Sequence, residues 1–453
     1  MRMIDLKATL KGAKTWLIKR RMGAFRRLYR EITQTQWYSK EQLEAFQLAR
    51  LQRLVRHVWE TVPYYRRLME ERGIRPDDIR QLDDIQRFPI MSKEDLKTAG
   101  NDIVSTRYRG ALLNTAHTGG TTGLPLPVRR DIWSIAREHA FVRRQFDWAD
   151  LKTSDRCAYL EGRTVASPGQ RPTSLHYYDA VMRELTLSTF HLTPEVVPHY
   201  ADLLQTHKIR ALIAYPSAAF VLAKGCLERG IRVGLHRVLT TSETLDEVKR
   251  KTIAEAFECP VFDFYGSAER VCYIHMCERG SYHVIPEYGI TELIPAASPN
   301  EDCCQVVATG FWNLAMPLIR YNLRDLVKVS QRTCRCGRVF PVVDKIMGRD
   351  GNVIVTPSGL QLGASAIECI LARILYAMYD MPVVAGRVVQ DASDALTLEY
   401  VPDAEFTEEH AGRLARVMAE QTPPGMHAEL RAKKELDRTV RGKFVSFVMA
   451  NHH

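Results

Sequence analysis

The chain has 453 residues, 45% apolar and 26% charged, enough for two or three cored domains of ordinary soluble composition. No apolar run reaches the length of a membrane span, and the N-terminus lacks the apolar core and cleavage site of a secretory leader, so the cytosol is the expected compartment. Ten cysteines are too sparse for a disulfide scaffold.

The net charge of +10 is concentrated at one end: residues 1–30 hold ten Lys/Arg against Asp5, a net +9, leaving +1 for the rest. The body is near neutral, with no global basic field of the kind that binds nucleic acid. Within residues 1–30, Ile18, Met22, Phe25 and Tyr29 recur at spacings that mark one helix face. Such a basic amphipathic helix can lie on an anionic leaflet as a peripheral membrane contact, or pack its stripe on the body or on a second subunit of an oligomer. Residues 1–100 are expected to be largely helical. "KEQLEAFQLARLQRLVRHVWETV" carries helical periodicity, and Ser92 caps "KEDLKTA". "VPYYRR" and "RFPIMS" mark breaks.

From about 105 to 345, buried strands ("RALIAYPS", "HRVLTTSE", "CPVFDFYGSAE", "QVVATGF") alternate with helices such as "DEVKRKTIAEAFE". This predicts an α/β fold with a mixed, substantially parallel sheet. The turn-rich stretch at Gly348–Asn352 divides a large domain, 1–348, from a smaller α+β domain, 349–453. Cys157, Cys226, Cys259 and Cys369 lie in apolar surroundings and read as core residues.

One loop stands out: "HTGGTTGLPLP", residues 117–127. Backbone N–H groups freed by Gly119, Gly120 and Gly123, with the hydroxyls of Thr118, Thr121 and Thr122, can wrap an anion. Leu124 and Pro125 follow Gly123 where a P-loop has Lys-Ser/Thr, so that nucleotide motif is excluded. Taken alone, the loop reads rather as a plain surface turn.

In company it is more. "TGGTTGLP" resembles the phosphate loop of the acyl-adenylate-forming superfamily. "FYGSAE" (264–269) resembles that superfamily's Tyr-Gly-x-x-Glu segment, and "RYNLRD" (320–325) its Tyr-Arg-Thr-Gly-Asp. "MGRD" (347–350) resembles the hinge, and "RTVRGKF" (438–444) the closing Gly-Lys motif. "HVWETVPYYRRLMEERGIRPDD" and "CRCGRVFPVVDKIMGRD" are similar to phenylacetate–CoA ligases and their capsular-polysaccharide-associated relatives. The resemblance covers residues from about 45 to 450, five motifs in order, and omits the basic N-terminal helix.

The resemblance implies an ATP-dependent ligase with a large adenylate-forming domain and a small mobile C-terminal lid. It activates a carboxylic acid, aryl or otherwise small, as an acyl-adenylate and passes it to CoA; an amine, a sugar hydroxyl or a carrier-protein thiol are the other acceptors. It places the ATP phosphates at 118–123, Mg²⁺ on Glu269, adenine beside Tyr265 and Gly266, the ribose on Asp325, and Lys443 at the reacting carboxylate. Arg349 is either a nucleotide contact or part of the hinge. The residue chemistry alone also allows Glu269 as a surface acid and Asp325 as an ion-pair partner. Three positions depart from the pattern: Gly119 replaces Ser, Leu126 stands at a common Lys, and Arg324 occupies the place of a common Gly. Separately, Cys277, His283, Cys334 and Cys336 offer three thiolates and an imidazole. That set suits a closed structural Zn²⁺ site, which the resemblance favours, with Cys272 and His275 as nearby decoys.

Overall fold

The computed structural model describes residues 12–13, 15–18, 22–108, 113–117, 126–163, 165, 174–296, 303–349, 354–357, 361–362, 370, 374, 377–378, 381–392, 394–423, 425–437 and 447–449. Its contacts group the chain into two units, one of residues 1–157, 177–185 and 262–346, the other of 158–176, 186–261 and 347–453.

The first unit opens with helices α1 (Gly23–Thr35), α2 (Lys40–Thr61), α3 (Pro63–Glu71) and α4 (Lys93–Ala99). Leu43, Leu51, Leu54, Val55 and Val58 form the buried stripe of α2. Its start is set by a capping box in which Ser39 and Gln42 exchange backbone and side-chain hydrogen bonds. The break expected at "VPYYRR" is a corner: Pro63 cannot continue α2 and instead takes the first position of α3. Ser92 and Asp95 cap α4 in the same reciprocal way.

After α4 come a two-stranded ribbon, β1 (Leu113–His117) and β2 (Pro127–Asp131), then α5 (Ile132–Trp148). The strands that complete this unit are β3 (Val261–Gly266), β4 (Tyr273–Met276), β5 (Tyr282–Val284), β6 (Gly289–Pro295), β7 (Cys303–Gly310), β8 (Tyr321–Val329) and β9 (Val342–Arg349), in the spatial order β6-β7-β8-β9-β5-β4-β3. The parallel character expected of the sheet does not extend here: β3 with β4, β4 with β5, β5 with β9, β6 with β7 and β7 with β8 all pair antiparallel. Where the paired strands follow one another directly, as β3–β4 and β4–β5 do, the cause is connection length. Turns of a few residues reverse the chain, whereas a parallel pair needs a crossover of a dozen or more. Helix α5 packs on this sheet through Phe141, whose ring meets Tyr273, Tyr288 and Trp312 at 6.4, 4.9 and 6.1 Å.

In the second unit, strands Ala211–Ala214 and Arg237–Thr241 pair in parallel, joined through the helix Pro216–Glu228, as the strand–helix–strand pattern requires. Cys226 and Cys259 are buried here, and burial pushes both thiols up to about 11. Later in the chain, the hairpin Val383–Ala392/Ala395–Pro402 is flanked by parallel partners His427–Ala432 and Phe447–Met449. Helix Glu408–Gln421 buries Leu414 and Met418 in the core of this small sheet, with Val388, Leu396, Leu398 and Phe447. Cys369 lies outside the described residues. No helix among those described is long and apolar enough to cross a membrane.

Candidate functional site

Ribbon β1–β2 runs in register from Leu113↔Asp131 to His117↔Pro127. It therefore fixes the two ends of the glycine–threonine loop. The loop residues themselves, Thr118, Gly119, Gly120, Thr121, Thr122 and Gly123, lie outside the described residues.

Strand β3 ends at Tyr265-Gly266, and Glu269 follows in the turn to β4. Tyr265 Oη donates to Asp325 Oδ2 at 2.5 Å, across 60 residues of sequence. Burial, with the carboxylate of Asp325, then Cys272 and Glu269, holds the Tyr265 phenol protonated, well above its usual range. Tyr265, Glu269 and Asp325 thus share one neighbourhood. Gly266 packs against the Tyr273 ring, which would lie 3.3 Å from a Cβ placed there.

Asp325 sits in a β-bulge. The pairing of β7 with β8 steps from Gln305↔Leu326 to Val307↔Asn322, so Leu323, Arg324 and Asp325 together oppose Val306. Arg324 adopts φ 56°, the left-handed conformation that glycine takes without strain. Asn322 Oδ1 accepts the Arg324 N–H at 2.8 Å and supports the bend. At the position where the resemblance expects Gly, Arg324 thus takes a glycine-like backbone conformation. Bulges of this kind re-aim a side chain, here that of Asp325.

Three residues that the sequence reading missed hold the Glu269 turn. Arg130 of β2 donates to the carbonyl of Ala268. Arg270, at φ 58°, donates to Ser134 O at 3.3 Å and lies 3.6 Å from the Glu138 carboxylate, both on α5. Glu138 also accepts from Tyr273 Oη at 2.8 Å and Tyr288 Oη at 2.6 Å. Close backbone approach completes the support: a Cβ at Gly310 would stand 2.5 Å from Arg270 O. No spacing rule points to Arg130, because its partner is a main-chain oxygen.

Cys277, His283, Cys334 and Cys336 come together, with their donor atoms within 4.8 Å of one another. Cys277 Sγ is 3.6 Å from Cys334 Sγ, and Cys336 Sγ is 3.4 Å from His283 Nε2. A disulfide would need roughly 2.05 Å. A tetrahedral metal with ligand bonds of roughly 2.0–2.3 Å separates its donors by roughly 3.5–3.8 Å, so the residues fit a zinc-sized ion. The other nitrogen, Nδ1 of His283, meets Phe340 O at 3.3 Å, the outer hydrogen bond that orients a ligating imidazole. Gly280, at φ 76°, closes the tight Cys277–Ser281 turn. Burial pushes the Cys277 thiol up to about 12.

The two decoys stay outside this cluster. Cys272 is buried and meets Thr291 Oγ1 at 3.5 Å. His275 stands edge-on to Tyr273 and Trp148, with neither ring nitrogen hydrogen-bonded among the described residues. Burial and the Arg144 guanidinium hold its imidazole neutral.

Lys443 and Asp350 lie outside the described residues. Gly348, at φ 89°, and Arg349 are the last residues of β9, so the expected hinge motif begins inside a strand. At the other end of the chain, Ile18, Met22 and Tyr29 pack against the core of the first unit, and Phe25 is buried in it. The apolar stripe of the basic segment therefore faces the body, while Arg26, Arg27 and Arg30 face solvent.

No family model matches the chain. A phenylacetate–coenzyme A ligase of Thermus thermophilus is 25% identical over 359 residues, covering 74% of this chain and 76% of that protein. Protein CapK of Staphylococcus aureus is 22% identical over 248 residues, 54% of each chain. Among solved structures, a 2-hydroxyisobutyryl-CoA ligase, in the postadenylation state in complex with R3-HIB-AMP, matches with a TM-score of 0.67 at 20% identity over 91% of both chains. The resemblance drawn from the motifs is thus matched by similarity in sequence to phenylacetate–CoA ligases and CapK, and in fold to an acyl-CoA ligase.

Proposed function

We propose that this chain is an AMP-forming carboxylate–CoA ligase, acting on an aryl or other small acid. The observation that carries the reading is the meeting of Tyr265, Asp325 and Glu269, three residues from two separate motifs, beside the ribbon that bears the glycine–threonine loop. In the first half-reaction a carboxylate oxygen attacks the α-phosphorus of ATP and pyrophosphate departs. Charge stays on phosphate oxygens throughout, so the protein's work is positioning and electrostatics.

Thr118, Thr121 and Thr122, with Gly119, Gly120 and Gly123, cradle the phosphates. Glu269 holds Mg²⁺, a hard cation suited to carboxylate and phosphate oxygens. Asp325 accepts the ribose hydroxyls while Tyr265 and Gly266 flank the adenine, and Lys443 meets the reacting carboxylate. Residues 349–453 act as the lid, reorienting about Gly348–Asp350 between the half-reactions, with Arg349 either at the nucleotide or in the hinge. In the second half-reaction the thiol of CoA displaces AMP. Cys277, His283, Cys334 and Cys336 would hold a Zn²⁺ in a structural role, stapling the segments that carry them.

A second reading is favoured by the similarity to CapK: the acyl-adenylate passes to an amine, a sugar hydroxyl or a carrier-protein thiol. Acid-dependent pyrophosphate release over a panel of aryl, fatty and amino acids tests the first step. Release with no acid on the panel contradicts adenylation. Stimulation of AMP release by free CoA separates the two acceptors, and its absence alongside active adenylation favours the second.

A further inference from the structure

The residues that follow the glycine–threonine loop grip both neighbours of Glu269. On one side, the Arg130 guanidinium of β2 donates to the carbonyl of Ala268, the residue before Glu269. On the other side, Arg270 donates to Ser134 O on the first turn of α5 and faces Glu138 one turn further on. Strand β2 and helix α5 are contiguous, since Asp131 both ends the strand and caps the helix by accepting the Ser134 N–H at 2.8 Å. One continuous piece of chain, starting four residues after Gly123, therefore fixes the turn that presents Glu269. We infer that Arg130 is a positioning residue for the metal–nucleotide: acting through the Ala268 carbonyl, it fixes the turn that carries Glu269 against strand β2. This rests on the adenylation reading given above.

The physical reason lies in what the reaction needs. Phosphate binding in the loop and metal binding on Glu269 are useful only if both meet the same triphosphate, and small displacements at such a site are costly in rate. A main-chain turn held by a charged donor is fixed more firmly than one held by neutral donors, because charge-assisted bonds are roughly twice as strong. The turn is strained in its own right, with Arg270 in the left-handed region, so an external tie is needed to keep it in one conformation. Arg129, its neighbour, serves the ribbon itself by donating to Thr115 on β1. The two consecutive arginines divide the work: one holds the ribbon together, the other ties it to the turn.

The test uses the full chain with Arg130→Ala and Arg130→Lys. In Arg130→Ala the KM for Mg·ATP in acid-dependent pyrophosphate release rises about ten-fold, the scale of one lost charge-assisted bond, while the KM for the acid stays unchanged. Arg130→Lys, which keeps a cationic donor, falls between wild type and Arg130→Ala, and added methylguanidinium restores part of the loss in Arg130→Ala. Hydrogen exchange across Tyr265–Val271 reads the turn directly and accelerates in Arg130→Ala. Unchanged exchange and unchanged KM for Mg·ATP in a folded Arg130→Ala overturn the inference, as does an equal rise in the KM for the acid. If the alanine variant does not fold, the same two readouts on Arg130→Lys decide. Should the wild type itself release no pyrophosphate, the adenylation reading fails, and the exchange measurement alone judges whether Arg130 holds the turn.

Discussion

Replacing Tyr265 with Phe keeps the ring and removes one O–H. In the structure that hydroxyl donates to Asp325 Oδ2 at 2.5 Å, a short bond between a neutral donor and a carboxylate. Bonds of that class contribute about 1.5–3 kcal/mol. Asp325 sits on a bulge, where the backbone pairing that would otherwise fix its direction is interrupted, so the phenol is one of the ties that orient the carboxylate. If Asp325 accepts the ribose hydroxyls, losing this tie loosens the carboxylate, which is then ordered in part only when nucleotide arrives. The KM for ATP then rises between about 10-fold and 150-fold, the range spanned by 1.5–3 kcal/mol, with little change in the KM for the acid. Initial rates of acid-dependent pyrophosphate release against ATP concentration measure this. A KM for ATP that stays the same refutes the reasoning. A lower one refutes it more sharply, because it means the phenol competes with the ribose for Asp325.

Three more predictions follow from other parts of the chain. Protein purified without chelator should carry one zinc per chain, and Cys336→Ser should lower both zinc content and Tm; stoichiometric metal that survives Cys336→Ser unchanged contradicts the proposed ligand set. Arg144 and Glu287 form a fully buried pair, with side chains 1% and 0% exposed and nitrogen–oxygen distances of 2.7 and 3.3 Å. Arg144→Met strands the carboxylate and should destabilise by about 3–5 kcal/mol, while Arg144→Met with Glu287→Leu recovers most of that; equal denaturation midpoints for the single and double variants dispose of this account. Tyr273 and Tyr288 are raised well above the usual 10.0, chiefly by burial and then by the Glu138 carboxylate. Since the folded values are the higher ones, their contribution is complete below pH 10 and is lost above it, where each tyrosine removes up to about 1.4 kcal/mol per pH unit; alkaline unfolding with no such slope between pH 10 and 11.5 counts against the burial of these two phenols.

Much of this was legible in the residues, and the reasons are local. Helix α2 declares itself by periodicity and α4 by Ser92, because both signals are written within the helix and its cap. The strands ending at Ala214, Thr241 and Gly266 show as short apolar runs. Sheet direction does not show, since it depends on whether a connection is a crossover or a turn. "CERGS" carries no standard hairpin signal, yet Gly280 lets it reverse the chain between β4 and β5. The four cysteine and histidine ligand candidates are visible because their side chains carry the chemistry. The contact from Arg130 to Ala268 is invisible for the opposite reason: every residue has a carbonyl, so nothing in the sequence marks which one is chosen.

The bend at Arg324 has a consequence for how such chains are recognised. What the bulge before Asp325 requires at that position is a backbone angle, and glycine is merely the residue that supplies it most easily. An arginine can supply it too when a neighbouring asparagine braces the turn. Any search rule that insists on the letter G before the aspartate would discard this chain although its backbone takes the angle that glycine would. A rule written on torsion angles would keep it.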